Sequence, residues 1–220
     1  MLRRLKQLEL SGELNMNKRL KFAKEQRKKY PQIAFIHPSV KIPEWVEVRK
    51  NVIIHENCTI GTEGFGFVRD NDGKWIHIPH SGKVIIGDDV EIFPGTNVDR
   101  ATVDETTIGR GTKIDHHCHI GHNSQIGKNC VITAQVLIGG SAIIGNNVWI
   151  GPHSTILNKV KIGNNVYIGS HTNVLKDVED NSVVVGNPGK VIRIGNQPHI
   201  DKNNIRNLIL TDCFMKEDIK

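Results

Sequence analysis

Residues 106–174 decide the fold, and they read TTIGRGTKIDHHCHIGHNSQIGKNCVITAQVLIGGSAIIGNNVWIGPHSTILNKVKIGNNVYIGSHTNV. From Ile108 to Val174 every sixth residue is aliphatic, which gives twelve matches in twelve positions. The residue two places before each of them is small or β-branched, and glycine follows most of them. A period of six fits neither the 3.6-residue repeat of a helix nor the two-residue alternation of a strand. The pattern therefore predicts a chain that turns a corner every six residues.

Three units of six close a triangular coil of about eighteen residues, and stacked coils form a β-helix. The aliphatic residue points inward and stacks on its equivalents, while only a small side chain fits two places earlier. Glycine and asparagine at the corners tolerate positive φ. The same frame continues upstream at Ile36, Ile42, Val48, Ile54, Ile60, Ile86, Ile92 and Val98. We therefore predict an all-β chain with a parallel β-helix over residues 31–193.

The frame breaks at two places. Ile86 follows Ile60 by 26 residues, which is two more than a multiple of six, and the segment between them is rich in glycine and aromatic residues. Ile108 follows Val98 by ten residues, which is one unit plus four. Insertions in a solenoid usually lie on its binding face. We therefore expect a loop extruded from the wall at residues 61–85 and a second functional segment near residue 100.

The two ends of the chain differ from the repeats. Residues 1–30 hold ten basic and three acidic residues, although the net charge of the whole chain is only +6. Leucines at helical spacing and the stop at Pro31 predict a basic helical arm over residues 1–30. An apolar run near residue 208 predicts a short helical cap over residues 194–220, which would cover the open end of the β-helix. The remaining body is nearly neutral, which argues against binding of nucleic acid.

Membrane insertion and export signals are not apparent in the sequence. It has no run of 18 apolar residues, so we expect no transmembrane segment. The first thirty residues lack the apolar core of a signal peptide. The four cysteines form no CxxC pair and are interpreted as reduced thiols. These features indicate a cytoplasmic protein, and we expect no bound metal and no permanently bound cofactor.

Three segments together resemble one family. They are GFGFVRDNDGKWIHIPHSG, IGDDVEIFPGTNVDRATVDETTIG and IDHHCHIGHNSQIG. Over about residues 55–150 they resemble the N-acyltransferase of lipid A synthesis, a hexapeptide-repeat acyltransferase that acylates the 2-amino group of a UDP-glucosamine derivative. Both frame breaks occur at the same places as in that family. The family implies a left-handed coil and a homotrimer with active sites between subunits.

The chain departs from this family in three ways. A basic segment of about thirty residues stands where the lipid A enzyme has a uridine-binding domain. IPHSG replaces the usual IPQ-x-G, with His80 at the glutamine position. The ending NSVVVGNPGKVIR resembles that of coenzyme A-dependent acetyltransferases. This combination implies an N-acyltransferase that uses acetyl-CoA or a short acyl-CoA as co-substrate and a dTDP- or UDP-linked amino sugar as acceptor.

Amide formation from a thioester needs a base and a donor for the oxyanion, and a neutral histidine can serve as the base. His122 lies four residues before the inward Ile126, and Asp104 lies four before Ile108. The frame therefore predicts that Asp104 lies directly under His122 and holds one ring nitrogen. Gly140 follows one coil later, where its N–H could face a carbonyl. The family resemblance assigns the base to His122 and the oxyanion donor to Gly140; an ordinary corner histidine is the alternative.

Further residues are candidates for binding substrates. His119 could bind the acceptor, Asp99 its cationic amine and Arg100 its pyrophosphate; a surface histidine and a structural salt bridge are the alternatives. The loop residues Phe65 and Trp75 could stack on a nucleotide base or only pack the loop. The end of the coil could bind the phosphates of coenzyme A through Asn187, Pro188, Lys190 and Arg193, or it could be a solvated capping turn.

Three other functions compete with this interpretation. The first is a zinc enzyme like the β-helix carbonic anhydrases, because His117 and His122 show an H-x4-H spacing. The GHxxxLHG-like segment of those enzymes is missing, since the chain reads GHNSQIG there. The second is a non-catalytic scaffold. The third is a lipid A enzyme that takes its acyl chain from acyl carrier protein.

Overall fold

The computed structural model describes residues 35–195, which contain strands and no helix. The helical arm predicted at residues 1–30 and nearly all of the predicted cap at residues 194–220 lie outside this part of the chain. The described residues form three sheets, which wind around one another as the walls of a solenoid. Their strands pair in parallel, except for the last strand, Lys190–Ile194, which pairs antiparallel with its neighbour. The predicted all-β parallel β-helix is confirmed.

Each wall collects every third strand of the repeat region. Wall A orders its strands as β1 (Phe35–Ile36), β3 (Ile53–Ile54), β8 (Glu91–Ile92), β11 (Lys113–Ile114), β14 (Val131–Ile132), β17 (Trp149–Ile150), β20 (Tyr167–Ile168), β22 (Ser182–Val185) and β23 (Lys190–Ile194). Wall B contains β2 (Val46–Val48), β7 (Lys83–Ile86), β10 (Glu105–Ile108), β13 (Gln125–Ile126), β16 (Ile143–Ile144) and β19 (Lys161–Ile162). Wall C contains β4 (Thr59–Thr62), β9 (Asn97–Asp99), β12 (His119–Ile120), β15 (Leu137–Ile138), β18 (Thr155–Ile156) and β21 (Asn173–Val174). A separate hairpin consists of β5 (Phe67–Arg69) and β6 (Trp75–His77).

The six-residue period matches the register of the walls. Ile126 pairs with Ile108 on one side and with Ile144 on the other. The aliphatic residues from Ile54 to Val174 point inward and are buried, so that they form one continuous column of core along the axis. Ile36 at the start of the frame is exposed, and Ile42 and Val48 are only partly buried. Complete burial of one such side chain stabilises the fold by about 1.5–3 kcal/mol. The strands are short because each wall is only as wide as one six-residue unit.

The small residues two places before the aliphatic ones fill the inside of the corners. Thr112 and Ser124 are fully buried. The Thr112 hydroxyl donates a hydrogen bond to the Gly127 carbonyl at 2.8 Å, and the Ser124 hydroxyl donates to the Gly139 carbonyl at 3.1 Å. A larger side chain at these positions would have no room inside the coil. The position therefore favours small residues whose hydroxyls can bond the backbone.

Positive φ at the corners allows the chain to turn. At regular corners this conformation falls three residues before the aliphatic position, as at Asn123 (φ 58) and Asn129 (φ 55). Asparagine tolerates this region better than most residues. At the corner between walls B and A, asparagines also bond the next coil, because Asn146 Oδ1 accepts the Lys128 N–H at 2.8 Å. Sequence and backbone geometry thus agree at these asparagine corners.

Both breaks of the frame lie at one corner, between walls C and B, which we call the C–B corner. The first break joins β4 to β7 through residues 63–82 and includes the β5–β6 hairpin. The second joins β9 to β10 through residues 100–104. The two are stacked, because the Gly82 N–H donates to the Ala101 carbonyl at 2.9 Å and the Lys83 N–H donates to the Asp104 carbonyl at 2.8 Å. Across residues 35–195, no helix could cross a membrane.

Candidate active site

The C–B corner brings the two insertions together with the predicted base. His122 lies at this corner between β12 and β13, one level beyond the second break. Gly140 lies at the same corner one coil further along, between β15 and β16. The sequence predicts these features separately: an extruded loop, a second break, and a column of stacked residues that contains His122. The structure places all of them on a single edge of the solenoid.

Hydrogen bonds of Asn123 determine which nitrogen of His122 carries the proton. Asn123 Oδ1 accepts from the N–H and the hydroxyl of Thr102 at 3.0 and 2.9 Å, while its Nδ2 donates to the Val103 carbonyl at 2.7 Å. The amide is therefore oriented with its oxygen toward His122, whose Nδ1 lies 3.0 Å away. Because that oxygen can only accept, His122 Nδ1 donates the proton and Nε2 retains its lone pair. A neutral imidazole in this tautomer can accept a proton at Nε2.

Gly140 lies against the ring of His122. A β-carbon built on Gly140 would stand 2.7 Å from His122 Nε2 and 2.9 Å from Cε1. Any side chain at this position would therefore displace the imidazole. Glycine also leaves the backbone beside Nε2 open to a bound molecule.

The backbone N–H groups of His122 and Gly140 at this corner have no acceptor within residues 35–195. Matching groups at the corner between walls B and A do have acceptors, because the Lys128 N–H donates to Asn146 and the Asn146 N–H donates to Asn164. For the N–H of His122, the difference arises because glycine at position 140, eighteen residues further on, offers no side chain that could accept it. Such N–H groups are suitable donors for an oxyanion.

The predicted contact between Asp104 and His122 is wrong. Asp104 is exposed, and within the described residues its side chain makes no hydrogen bond or ion pair with His122, whose Nδ1 contacts Asn123 instead. Asp104 has φ 62 and occupies the left-handed corner position that Asn123 occupies one coil later. It stands four residues before Ile108, whereas Asn123 stands three before Ile126. The second break adds four residues to this corner and moves its left-handed residue one place further from the aliphatic position, so counting back from Ile108 misplaces Asp104.

His80 is a site residue that the sequence indicated only as a departure from the family pattern. Its ring is 3 % exposed and meets the ring of His122 edge to face, with centroids 5.2 Å apart. His80 Nδ1 donates to the Ile78 carbonyl at 2.8 Å, so Nε2 carries a lone pair, and it has no partner within the described residues. No repeat pattern identifies this residue, because it returns to the corner from the extruded hairpin.

Gly64 allows the hairpin to approach the corner closely. A β-carbon on Gly64 would lie 2.9 Å from His80 Nε2, 3.1 Å from His122 Cδ2 and 3.2 Å from Asp99 Oδ2. The backbone of the hairpin thus packs where these three side chains meet. A larger residue at position 64 would separate the hairpin from the site.

Asp99 and His119 form a polar cluster on wall C beside this point. Asp99 is buried, and its Oδ1 accepts from Asn97 Nδ2 at 2.7 Å. His119 is half-exposed, and its Nε2 lies 3.5 Å from Asp99 Oδ2. Asn97 Nδ2 also donates to His119 Nδ1 at 3.1 Å. The carboxylate therefore holds the orientation of His119, and the roles of both residues toward a substrate stay predictions.

The remaining candidates at this end of the site differ in their contacts. Arg100 donates from Nε to the Gly82 carbonyl at 2.8 Å and lies over the Trp45 ring at 4.1 Å from its centroid, so its guanidinium already has structural partners. Phe65 and Trp75 lie on the hairpin segment and are exposed, with 90 % and 62 % of their surface accessible. Exposed aromatic rings of this size can stack on a planar ligand.

The predicted donor residues lie at the far end of the coil. Asn187 and Pro188 form the turn between β22 and β23, and Lys190 and Arg193 follow on β23, where all four are exposed. On wall A, β22 stands beyond β14, β17 and β20, so the turn lies three to four coil levels from His122, or roughly 15–20 Å at the usual spacing of strands. Only an extended ligand could reach both places.

Together these residues provide the elements of an acyl-transfer site. His122 offers a neutral base with a defined tautomer, and Gly140 offers a free N–H beside it. The hairpin covers one side of the corner through Gly64 and His80. Within one chain His117 lies at the corner between walls A and C, away from His122, so the H-x4-H spacing does not bring the two histidines together there.

Comparison with known proteins supports the repeat assignment. The family described as bacterial transferase hexapeptide (six repeats) matches residues 105–140 and 141–176. A protein of Coxiella burnetii named UDP-3-O-acylglucosamine N-acyltransferase is 43 % identical over 88 residues, which cover 40 % of this chain and 26 % of that protein. A protein of the same name from Francisella tularensis subsp. holarctica is 54 % identical over 69 residues, covering 31 % of this chain and 20 % of that protein. The chain thus matches about a quarter or less of the length of these curated relatives.

Solved structures share the fold at lower sequence identity. The UDP-N-acetylglucosamine O-acyltransferase of Moraxella catarrhalis is 23 % identical with a TM-score of 0.59, and the match covers 80 % of each chain. A variant of AntD, an N-acyltransferase from Bacillus cereus solved in complex with dTDP and coenzyme A, is 19 % identical with a TM-score of 0.54. That match covers 76 % of this chain and 90 % of AntD. These similarities establish the β-helix architecture of the chain.

Proposed function

We propose that this hexapeptide-repeat protein is an N-acyltransferase that moves an acetyl or short acyl group from acyl-CoA to the amine of a nucleotide-linked amino sugar. The observation that carries the proposal is the pairing of His122 Nε2, which has a free lone pair, with the unbonded N–H of Gly140. The relatives named UDP-3-O-acylglucosamine N-acyltransferase support transfer to a sugar amine. The AntD complex supports a pairing of coenzyme A with a nucleotide on this fold.

The reaction follows from what these two residues can do. The sugar amine attacks the thioester carbonyl carbon while His122 Nε2 takes a proton from the amine nitrogen. The N–H of Gly140 donates a hydrogen bond to the oxyanion of the tetrahedral intermediate. The carbon–sulfur bond then breaks, and the imidazolium returns its proton to the departing thiolate. The products are an amide and free coenzyme A, and His122 ends neutral as it began.

Asn123 acts as a positioning residue in this scheme. Its Oδ1 accepts the Nδ1 proton of His122 and therefore keeps the lone pair on Nε2. As the imidazole gains a proton, the same amide oxygen stabilises the positive charge through a charge-assisted hydrogen bond. Asp104 has no part in this step.

The donor would bind along the axis of the coil. Its phosphates would contact Lys190 and Arg193 at the terminal turn, while its thioester lies at the C–B corner. The extended pantetheine arm of coenzyme A suits the separation of these two places. Phe65 and Trp75 are the aromatic residues of the hairpin available to stack on the nucleotide base of the acceptor.

A homotrimer is part of the proposal. Four exposed aliphatic side chains lie on walls B and C or at the corner between them, close to the coils that carry His122. They are Leu137, Ile143, Leu157 and Leu175. Contact with a neighbouring subunit would bury them and would deepen a site that is otherwise built on one edge of the solenoid.

A second candidate is transfer of a longer acyl chain from acyl carrier protein, as in lipid A synthesis. It is favoured by the identity of 43 % to the Coxiella relative. The two candidates share the base and the acceptor chemistry and differ in the donor.

The experiment is a matrix of donors and acceptors. The purified chain is incubated with acetyl-CoA or short acyl-CoAs and with dTDP- or UDP-linked amino-deoxyhexoses, and free thiol is followed with time. A parallel series pairs 3-hydroxyacyl carrier protein with a UDP-3-O-acylglucosamine. Thiol release that requires both an acyl-CoA and an amino sugar supports the proposal. Turnover only with the carrier protein would favour the second candidate, and no turnover with any pair would favour a non-catalytic scaffold.

A further inference from the structure

A cluster of three metal-binding side chains lies at the base of the hairpin, where the acyl-transfer scheme does not use it. Glu63, His77 and His80 each offer one ligand atom, and these atoms lie within 4.8 Å of one another. Among residues 35–195 they form the one group of three or more such side chains that could hold an ion. Glu63 and His77 are exposed and His80 is buried.

The unpartnered nitrogen of His80 points to a ligand. His80 is 3 % exposed, yet its Nε2 has no hydrogen-bond partner within the described residues. Its Nδ1 donates to the Ile78 carbonyl at 2.8 Å. Histidines that bind metals commonly donate their second ring N–H to a carbonyl in this way, which orients the ring and fixes the lone pair on the binding nitrogen. A buried nitrogen lone pair without a partner is costly unless something binds it.

The other two side chains are already close together, and the second ring nitrogen of His77, Nε2, lies 3.4 Å from the Gly64 carbonyl oxygen. His77 Nδ1 lies 3.5 Å from Glu63 Oε2. Two ligands of a tetrahedral zinc ion stand about 3.3 Å apart at the usual bond lengths. The ligand atoms of Glu63 and His77 lie within 4.8 Å of that of His80, so they need to move by at most about 1.5 Å toward it. Two imidazoles and one carboxylate suit zinc and related divalent ions.

We infer that Glu63, His77 and His80 form a binding site for a divalent transition metal, zinc in the first instance, which fastens the hairpin to the C–B corner. The ion would connect the first residue after β4 to the last residue of β6 and to the segment that returns to the coil. His80 would then be held with its ring edge against His122. This inference does not depend on the acyl-transfer proposal, because binding needs neither His122, Gly140 nor Asn123, the residues that act in that reaction.

Zinc binding to the full chain tests the inference directly. Equilibrium dialysis against ZnCl2 should give one ion per chain. His77→Ala and Glu63→Gln should each weaken the affinity by at least about tenfold, which is the loss that even indirect changes around a metal can cause. Both residues are exposed, so circular dichroism should be unchanged. His153→Ala is the matched control, because it removes one of two histidines stacked 4.8 Å apart at another corner.

The outcomes separate this site from other sources of binding. Equal affinity of wild type and His77→Ala would overturn the inference. Loss of zinc in His153→Ala would do the same by assigning the ion to the surface histidine pair. His122→Ala should bind zinc as the wild type does, even if it has lost acyl transfer. Zinc should also slow proteolysis of the hairpin turn in the wild type and not in His77→Ala; equal rates would contradict the fastening role.

Discussion

The Nε2 atom of His122 lies 2.7 Å from the point where a β-carbon on Gly140 would stand. The imidazole therefore occupies the space that a side chain one coil further along would take. This packing requires both the eighteen-residue offset of the coil and a glycine at one position. It places a base and a free N–H side by side without any further structural element.

Replacement of Gly140 by alanine should disable the site while leaving the coil intact. The methyl group would push the ring of His122 away from its place, and a displacement of about 1 Å at a reacting group can lower the rate by about 10²-fold. The measurement is kcat for the acyl-CoA and amino-sugar pair that the matrix identifies. A double variant with His122→Ala serves as control: once the ring is gone, the added methyl should cost little further. Equal losses in the two backgrounds would show that the methyl acts elsewhere.

Removal of the Asn123 side chain should matter more than removal of the Asp104 charge. Asn123→Gly retains the left-handed backbone and deletes the amide that orients His122, so kcat should fall by about tenfold or more, as for changes that disturb the partner of a catalytic histidine. Asp104→Asn should change kcat less than about twofold, because Asp104 makes no contact with His122. A larger effect of Asp104→Asn than of Asn123→Gly would support the predicted contact of Asp104 with His122. It would contradict the positioning role of Asn123.

Lys190 and Arg193 should contribute to binding of the donor. If they contact the phosphates, alanine at both positions should raise the apparent KM for acyl-CoA by about tenfold or more, because charge-assisted hydrogen bonds are about 1.5–3 kcal/mol each. The KM for the amino sugar should stay as it is. Lys50→Ala, at the opposite end of the coil, is the control for loss of charge alone. An unchanged KM for acyl-CoA would remove the terminal turn from the donor site.

The buried cysteines should be chemically inert in the folded chain. Burial raises the pKa of the Cys118 thiol to about 11, and it also raises the pKa of Cys58 and Cys130. Since the thiolate is the reactive form, alkylation at pH 8 should be slow at all three residues in the native chain and fast in denaturant. Mass spectrometry of the labelled peptides gives the rate at each site. Rapid native labelling of Cys118 would contradict its placement inside the coil.

The sequence predicts the solenoid well because every coil repeats the same six-residue period. Each inward isoleucine, such as Ile126, must stack on the one below, so the register of one coil determines that of the next. The loop at residues 61–85 and the break near residue 100 were also visible as failures of the same count. That both breaks and His122 share one corner follows from their order along the chain, but only the structure displays it.

The details of the site were less predictable wherever the repeat is interrupted. The sequence places Asp104 wrongly because the second break adds four residues to the corner and shifts its left-handed residue by one place, which a count from Ile108 cannot detect. His80 and Gly64 reach the site from the hairpin, whose path no period describes. Asn123 was overlooked because asparagine is common at corners, and its role depends on contacts with Thr102 and Val103. The contact between Gly140 and His122 is the part of the site that the eighteen-residue period of the coil does predict.

The rate of the His122→Ala variant tests the central claim most directly. Positioned base catalysis contributes about 10²–10⁴-fold, so kcat for acyl transfer should fall by about that factor. Light scattering and circular dichroism should show the same assembly and fold as the wild type, and His153→Ala should keep full activity. A correctly folded and assembled His122→Ala variant with near wild-type kcat would contradict the account, because the proton of the amine would then have another acceptor and the C–B corner would act by positioning alone.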